Sequence, residues 1–173
     1  MIIKIILSFV IIGLSTAAGF FYSEVFKNRT DQLNELARSI NQFQNELIYT
    51  HTALPEILSN ISKKSKYPIS CIFEDIASIL YTNEADNVYS AFEKAFAENM
   101  KSLSINEDDI NIMLDMAKTI GESDIDGHKR IFQLTLNNLK KQIEKSEEIA
   151  NKNIKMYRYL GFTIGSTVVI MLI

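Results

Sequence analysis

Hydrophobic residues crowd the two ends of this chain and recur at helical intervals between them. Ile5 to Tyr22 and Tyr159 to Ile173 carry no charged side chain, whereas the stretch between them is polar and rich in charge. In that stretch Leu33, Leu36, Ala37, Ile40, Phe43, Leu47 and Ile48 follow Thr30 and Asp31 at intervals of three and four, the spacing of one helical face. Pro55 marks the next break and opens a short helix through Ile57, Leu58 and Ile61, which ends in the basic run Ser62 to Lys66. Pro68 opens a third, with Ile69, Ile72, Phe73, Ile76 and Leu80 on one side. Asp86 or Asn87 opens a fourth, carrying Val88, Phe92, Ala95, Phe96 and Met100. Ser104 and Glu107 have capping-box spacing ahead of Ile110, Met113, Leu114, Ala117 and Ile120, and Gly121 is a natural stop. From His128 to Leu160 there is no proline, and Phe132, Leu136, Leu139 and Ile143 form the seam of a long last helix.

No segment alternates as a half-buried strand does. The pattern predicts an all-α fold: a helical bundle of about six helices, its first and last helices paired, flanked by N-terminal and C-terminal transmembrane helices. The boundaries expected are a transmembrane helix over 1–22, a cytoplasmic α-helical domain over 23–158 and a C-terminal membrane segment over 159–173. A span takes about 20 residues, which the first segment supplies with Lys4 snorkelling. A cleaved signal peptide competes for that segment, but its apolar run continues past Ser15–Gly19 through Phe20, Phe21 and Tyr22, which favours retention. The last segment reaches only ~22 Å as a helix, so it spans by borrowing Met156 and Tyr157, with Arg158 snorkelling. Lys152, Lys155 and Arg158 precede it and nothing basic follows, which places the middle domain in the cytoplasm.

Composition narrows the chemistry. A net charge of −3 offers no basic face for nucleic acid. The single cysteine, Cys71, excludes an internal disulfide and lies among apolar residues as a small hydrophobe. No phosphate-binding loop is present, since Gly121 to Gly127 lacks the Lys-Ser/Thr pair. His51 and His128 lack partners at ligand spacing and read as surface or capping residues. Glu107, Asp108 and Asp109 suit the positive end of a helix, and Ser123–Asp126 reads as a helix cap. No catalytic residue, cofactor or metal is expected. Leu139 and Ile143 give way to Ser146, Ala150 and Asn153, so the last helix is expected to outgrow the core as a polar stalk or to meet another protein there.

Several short elements, taken in order, resemble one family. Glu46-Leu47-Ile48-Tyr49 followed by Thr52-Ala53-Leu54-Pro55-Glu56, then Ile120-Gly121-Glu122-Ser123-Asp124, then Lys155-Met156-Tyr157-Arg158-Tyr159-Leu160-Gly161 before the apolar tail, are similar to elements of the stage III sporulation protein AB family. The likeness runs nearly end to end. Ala53 stands where the family more often has proline, and the chain lacks the tryptophan often found in the fourth helix. The resemblance implies a mother-cell membrane protein in a channel or secretion-like complex between mother cell and forespore. That complex is built with other products of the same operon, including a cytoplasmic ATPase, and with stage II sporulation protein Q from the forespore. It also implies likeness to the platform subunits of type II secretion and type IV pilus machines.

The expectation is therefore a non-enzymatic membrane platform that couples the ATPase to assembly, with a passive membrane tether as the alternative. The candidate interaction surface combines Glu46, Tyr49, Pro55 and Glu56 with Gly121, Ser123 and Asp124, residues with little to give a core. Lys152, Lys155 and Arg158 set the topology. Partners expected are membrane lipid and the other operon proteins but not nucleic acid, and self-association into a homo-oligomer stays open.

Overall fold

The computed structural model of the chain describes residues 2–50, 52–120 and 125–172; for parts of the two terminal helical stretches, and for 125–126, the backbone alone is described. Six α-helices follow in order: α1 (Ile2–Tyr49), α2 (Leu54–Lys64), α3 (Ile69–Thr82), α4 (Val88–Asn99), α5 (Glu107–Ile120) and α6 (Ile125–Leu172), with a 3₁₀ turn at Met100–Ser102. No strand occurs among the described residues. The chain divides into two compact units, one of residues 31–144 and one of residues 1–30 with 145–173.

In the unit of residues 31–144 the apolar stripes meet as the spacing predicts. Leu33, Leu36, Ile40 and Phe43 of α1, Ile57, Leu58 and Ile61 of α2, Ile69, Ile72, Phe73 and Ile76 of α3 and Ala91, Phe92, Ala95 and Phe96 of α4 are buried. Met113, Met116 and Ala117 of α5 and Phe132 and Leu139 of α6 complete the core. The rings of Phe43 and Phe132 meet edge to face, 5.2 Å between centroids and 81° between planes, so α1 and α6 are paired here. Helix α2 packs on α3, α3 on α4 and α4 on α5.

Connections follow local chemistry. Asn83 takes the left-handed conformation (φ 53°, ψ 37°) that ends α3, which asparagine tolerates, and its amide donates to the Ile79 carbonyl. The Asn87 side chain accepts the Ser90 amide at 2.8 Å to start α4. His128, expected as a surface or capping residue, donates from Nε2 to the Ile120 carbonyl at 3.2 Å.

Three local expectations need correction. Thr30–Asp31 does not start a helix; α1 runs through it unbroken, because no glycine or proline interrupts the chain there and the Thr30 hydroxyl bonds to Ser146 instead of capping. The capping box lies two residues later than expected. Asn106 Oδ1 accepts the Asp109 amide and Asp109 Oδ2 accepts the Asn106 amide, both at 3.0 Å, whereas the Ser104 amide is drawn to Gln32 Oε1 at 2.7 Å. Met100 is 53% exposed and belongs to the 3₁₀ turn, outside the α4 core face.

In the unit of residues 1–30 and 145–173, Ser146, Ala150 and Ile154 are buried, and the hydroxyls of Thr30 and Ser146 share a hydrogen bond of 2.8 Å. The face expected to become a polar stalk is thus buried at Ser146 and Ala150. Among the described residues no helix is long and apolar enough to cross a membrane. The two spans expected at 1–22 and 159–173 fall largely on positions whose side chains lie outside the described residues.

Candidate functional site

The α1–α2 turn gathers four of the expected surface residues. Helix α1 ends where the Glu46 carbonyl accepts both the Thr50 amide (2.9 Å) and the Thr50 hydroxyl (2.6 Å). Ala53 is extended (φ −65°, ψ 143°), as the residue capping a helix start tends to be, and its carbonyl accepts the Glu56 and Ile57 amides to open α2. Pro55 occupies the first turn, where its missing N–H costs nothing.

The four side chains then part in role. Glu46 is 18% exposed; it lies 3.5 Å from Lys64 Nζ and accepts from Gln42 Nε2 at 2.8 Å, so it ties α2 back to α1. Pro55 is half-buried. Glu56 is exposed in the first turn of α2, where its charge meets the helix dipole favourably. Tyr49 is 78% exposed, a large apolar ring with no core to serve. Of the four, Tyr49 and Glu56 are available to a partner.

Gly121, Ser123 and Asp124, the other part of the expected surface, lie outside the described residues, as does His51. Lys152 and Lys155 are exposed, and the side chain of Arg158 lies outside the described residues. Cys71 is a free thiol at the edge of the core, half-buried rather than fully so. Among the described residues no group of three His, Cys, Asp or Glu side chains is placed to hold a metal ion.

A buried polar cluster escaped the sequence reading. Glu35 sits on α1 amid the core stripe, 8% exposed. Its carboxylate accepts the Lys66 amide at 2.8 Å and two donors from Arg38, one of them Nε at 3.1 Å. Arg38 also donates to the Lys64 carbonyl, and Ser39 shares a hydrogen bond of 2.9 Å with Ser65. The hydrogen bond from Arg38, then that from the Lys66 amide, hold the Glu35 carboxyl below the usual glutamate range against the opposing effect of burial. Together these bonds clamp the α2–α3 connection, which ends in a cis Tyr67–Pro68 peptide, onto α1. The one signal in the sequence was a Glu-x-x-Arg pair at helical spacing, which looks like any surface ion pair.

Comparison with known proteins gives one answer from three directions. A model of the family "Stage III sporulation protein AB" matches residues 4–173. Stage III sporulation protein AB of Bacillus subtilis (strain 168) is 24% identical over 170 residues, covering 98% of this chain and 99% of that protein. A solved structure of stage III sporulation protein AB superposes with a TM-score of 0.67 at 21% identity, covering 72% of this chain and 97% of that one; at this identity the likeness speaks for the fold. On the near-complete match to its model, the chain belongs to the stage III sporulation protein AB family and is a sporulation protein.

Proposed function

We propose that this protein is a non-enzymatic platform, anchored by both ends in the mother-cell membrane facing the forespore, whose helical bundle receives a cytoplasmic ATPase encoded in the same operon. The observation that carries the reading is the register of the terminal helices. With Thr30 beside Ser146 and opposed helices of equal rise, level positions are those whose numbers sum to 176. Carried along both helices, that register would set Ala17 level with Tyr159, so that most of the two uncharged runs would come level with each other. Two uncharged helices held level suit a bilayer, which supplies the apolar solvent they otherwise lack. Lys152, Lys155 and Arg158, just ahead of the second run, favour a cytoplasmic bundle.

Tyr49 marks the ATPase-facing surface in this reading. It stands on the turn that carries much of the family likeness, at the end of the bundle opposite the one where α1 enters at Asp31. The test uses the full chain in lipid nanodiscs with the purified ATPase. Tyr49→Ala is expected to weaken ATPase binding at least tenfold while circular dichroism and melting stay unchanged. Undiminished binding removes the surface. Absence of ATPase binding to the unaltered chain leaves the tether. Separately, single cysteines at Ile3, Ser65 and Ile173 in a Cys71→Ser background, treated with an impermeant maleimide, test topology: labelling at 65 would put the bundle outside.

A further inference from the structure

Between the Thr30–Ser146 hydrogen bond and the two uncharged runs lies a short stretch of α1 and α6 with a chemistry of its own. Residues 23–30 and 149–158 together carry five basic side chains (Lys27, Arg29, Lys152, Lys155, Arg158) against one acidic, Glu24. Glu147 and Glu148 stand farther off, about 16 Å or more along α6 from Tyr159. The helix itself fixes where two of the lysines point. Ser146, Ala150 and Ile154 are buried and mark the inward line of α6 in this unit. At about 100° per residue, Lys152 lies about 160° from that line and Lys155 about 140°. Tyr159, 73% exposed, lies on the same outward side. On α1, Lys27 is exposed, one turn before Thr30. Along their own helices Lys155 stands four residues from Tyr159, Lys27 five from Tyr22 and Lys152 seven from Tyr159. That puts all three about 6–10 Å from an uncharged run, where a headgroup layer about 5–8 Å deep would border the hydrocarbon.

We propose that Lys27, Lys152 and Lys155 form a collar that binds the headgroups of anionic lipid, so that the chain gathers lipid of the phosphatidylglycerol kind around its helix pair. The collar's place at a bilayer edge rests on the platform reading, which puts the uncharged runs in a membrane. A lipid preference asks more than the positive charge that sets a topology. It needs ammonium groups turned away from the partner helix, at the depth of the headgroups, where the phosphate of a neighbouring lipid can meet them. Lys152 and Lys155 satisfy both conditions, and Tyr159 sets an amphipathic ring at the same interface. Their apolar stems can lie along α6 while the ammonium groups stay among the headgroups. Lysines turned outward on two helices do not converge on one ion, which favours a layer of headgroups over a single free phosphate. A basic group near an anionic surface strengthens association about fivefold, and the effect falls off within a Debye length. Lys140 and Lys141, about 27 Å or more along α6 from Tyr159, lie outside that reach.

The test reconstitutes the full chain in vesicles of mixed phosphatidylcholine and phosphatidylglycerol, with a trace of one or the other lipid spin-labelled on its acyl chain. Electron paramagnetic resonance then reads the motionally restricted fraction, the lipid held against the protein. At low salt the phosphatidylglycerol label is expected to be restricted about fivefold more favourably than the phosphatidylcholine label, and the ratio to fall toward one as salt rises. Lys152→Gln with Lys155→Gln should bring the ratio close to one at low salt, and Lys152→Arg with Lys155→Arg should keep it. Lys140→Gln with Lys141→Gln removes as much charge farther along α6 and should leave the ratio unchanged. Circular dichroism and melting are expected to stay the same across the set. Equal restriction of the two labels by the unaltered chain overturns the collar and leaves the anchor standing. A preference that survives Lys152→Gln with Lys155→Gln, or that falls as far with the substitutions at 140 and 141, overturns the assignment to these lysines. No restricted fraction of either label overturns the platform reading and the collar with it.

Discussion

The two units of the molecule differ in charge and, among the described residues, in what they bury. The unit of residues 31–144 buries five phenylalanines and a dense set of isoleucines and leucines, and carries eleven Lys and Arg against eighteen Asp and Glu, a net −7. The unit of residues 1–30 and 145–173 carries seven Lys and Arg against three Glu, a net +4, and its buried positions include a serine, an alanine and one isoleucine. Large apolar side chains drive association in water, where their burial yields about 25 cal/mol per Å². Small and hydroxylated residues do little there, yet they suit helices that approach closely in an apolar solvent. Ile164 (56% exposed) and Ile170 (79%) of α6 lie outward in the second unit, whereas isoleucines at 57, 61, 69 and 76 are fully buried in the first. Among the described residues the two units thus differ both in the sign of their charge and in the size of what they bury.

The sharpest test of that contrast removes a large side chain from each unit. Phe43→Ala deletes a fully buried ring and its edge-to-face contact with Phe132, at an expected cost of ~3–5 kcal/mol in urea unfolding of the full chain in detergent. Ile154→Ala in the other unit is expected to leave the same transition in place. Equal losses would show that the two units unfold as one.

Next in size is Glu35→Gln, which keeps the shape of the side chain but discharges the acceptor of the Lys66 amide and of Arg38. Hydrogen bonds to a buried charge contribute ~1.5–3 kcal/mol, and about that much stability should be lost at neutral pH. The pH dependence has a definite sign. The folded carboxyl has a lowered pKa, so the unfolded chain binds the proton more tightly. The stabilisation is therefore full above the ordinary glutamate range and disappears as pH falls through the folded value. The difference between the unaltered chain and Glu35→Gln should shrink on acidification. A difference that stays constant down to strongly acidic pH would mean that the charge contributes nothing.

These two residues also show what could and could not be read from the chain. Phe43 is legible because a helical face repeats locally, and every neighbour within two turns votes for the same side. Glu35 is not, because its partners are a main-chain amide 31 residues away and a turn whose course depends on the fold. The same logic separates the two misplaced helix starts. Ser104 and Glu107 have good capping spacing, but the Ser104 amide is drawn off by Gln32 on another helix, which leaves the box to Asn106 and Asp109. Thr30 with Asp31 has an N-cap composition, but its hydroxyl is claimed across 116 residues by Ser146. Of the candidate surface, the sequence located the α1–α2 turn; it could not tell that Glu46 is tied to Lys64 while Tyr49 is left outside. Asn106→Ala should cost ~1 kcal/mol and Ser104→Ala almost nothing, the reverse of what the spacing suggests.

The smallest effect expected is that of Ser146→Ala. It removes one hydroxyl of the pair that sets the register of α1 against α6 in the unit of residues 1–30 and 145–173. A neutral hydrogen bond contributes ~0.5–1.5 kcal/mol net, and a helical threonine left without its partner recovers part of that by bonding the carbonyl one turn back. The loss should therefore stay under about 1 kcal/mol and appear only in the separation of the two helices within that unit, read by distance measurement between spin labels on α1 and α6. The urea transition of the Phe43-containing unit should not move. A shift of that transition as large as the one for Asn106→Ala would mean that the hydroxyl pair props up the bundle itself. The contrast between the two units would then have to be abandoned.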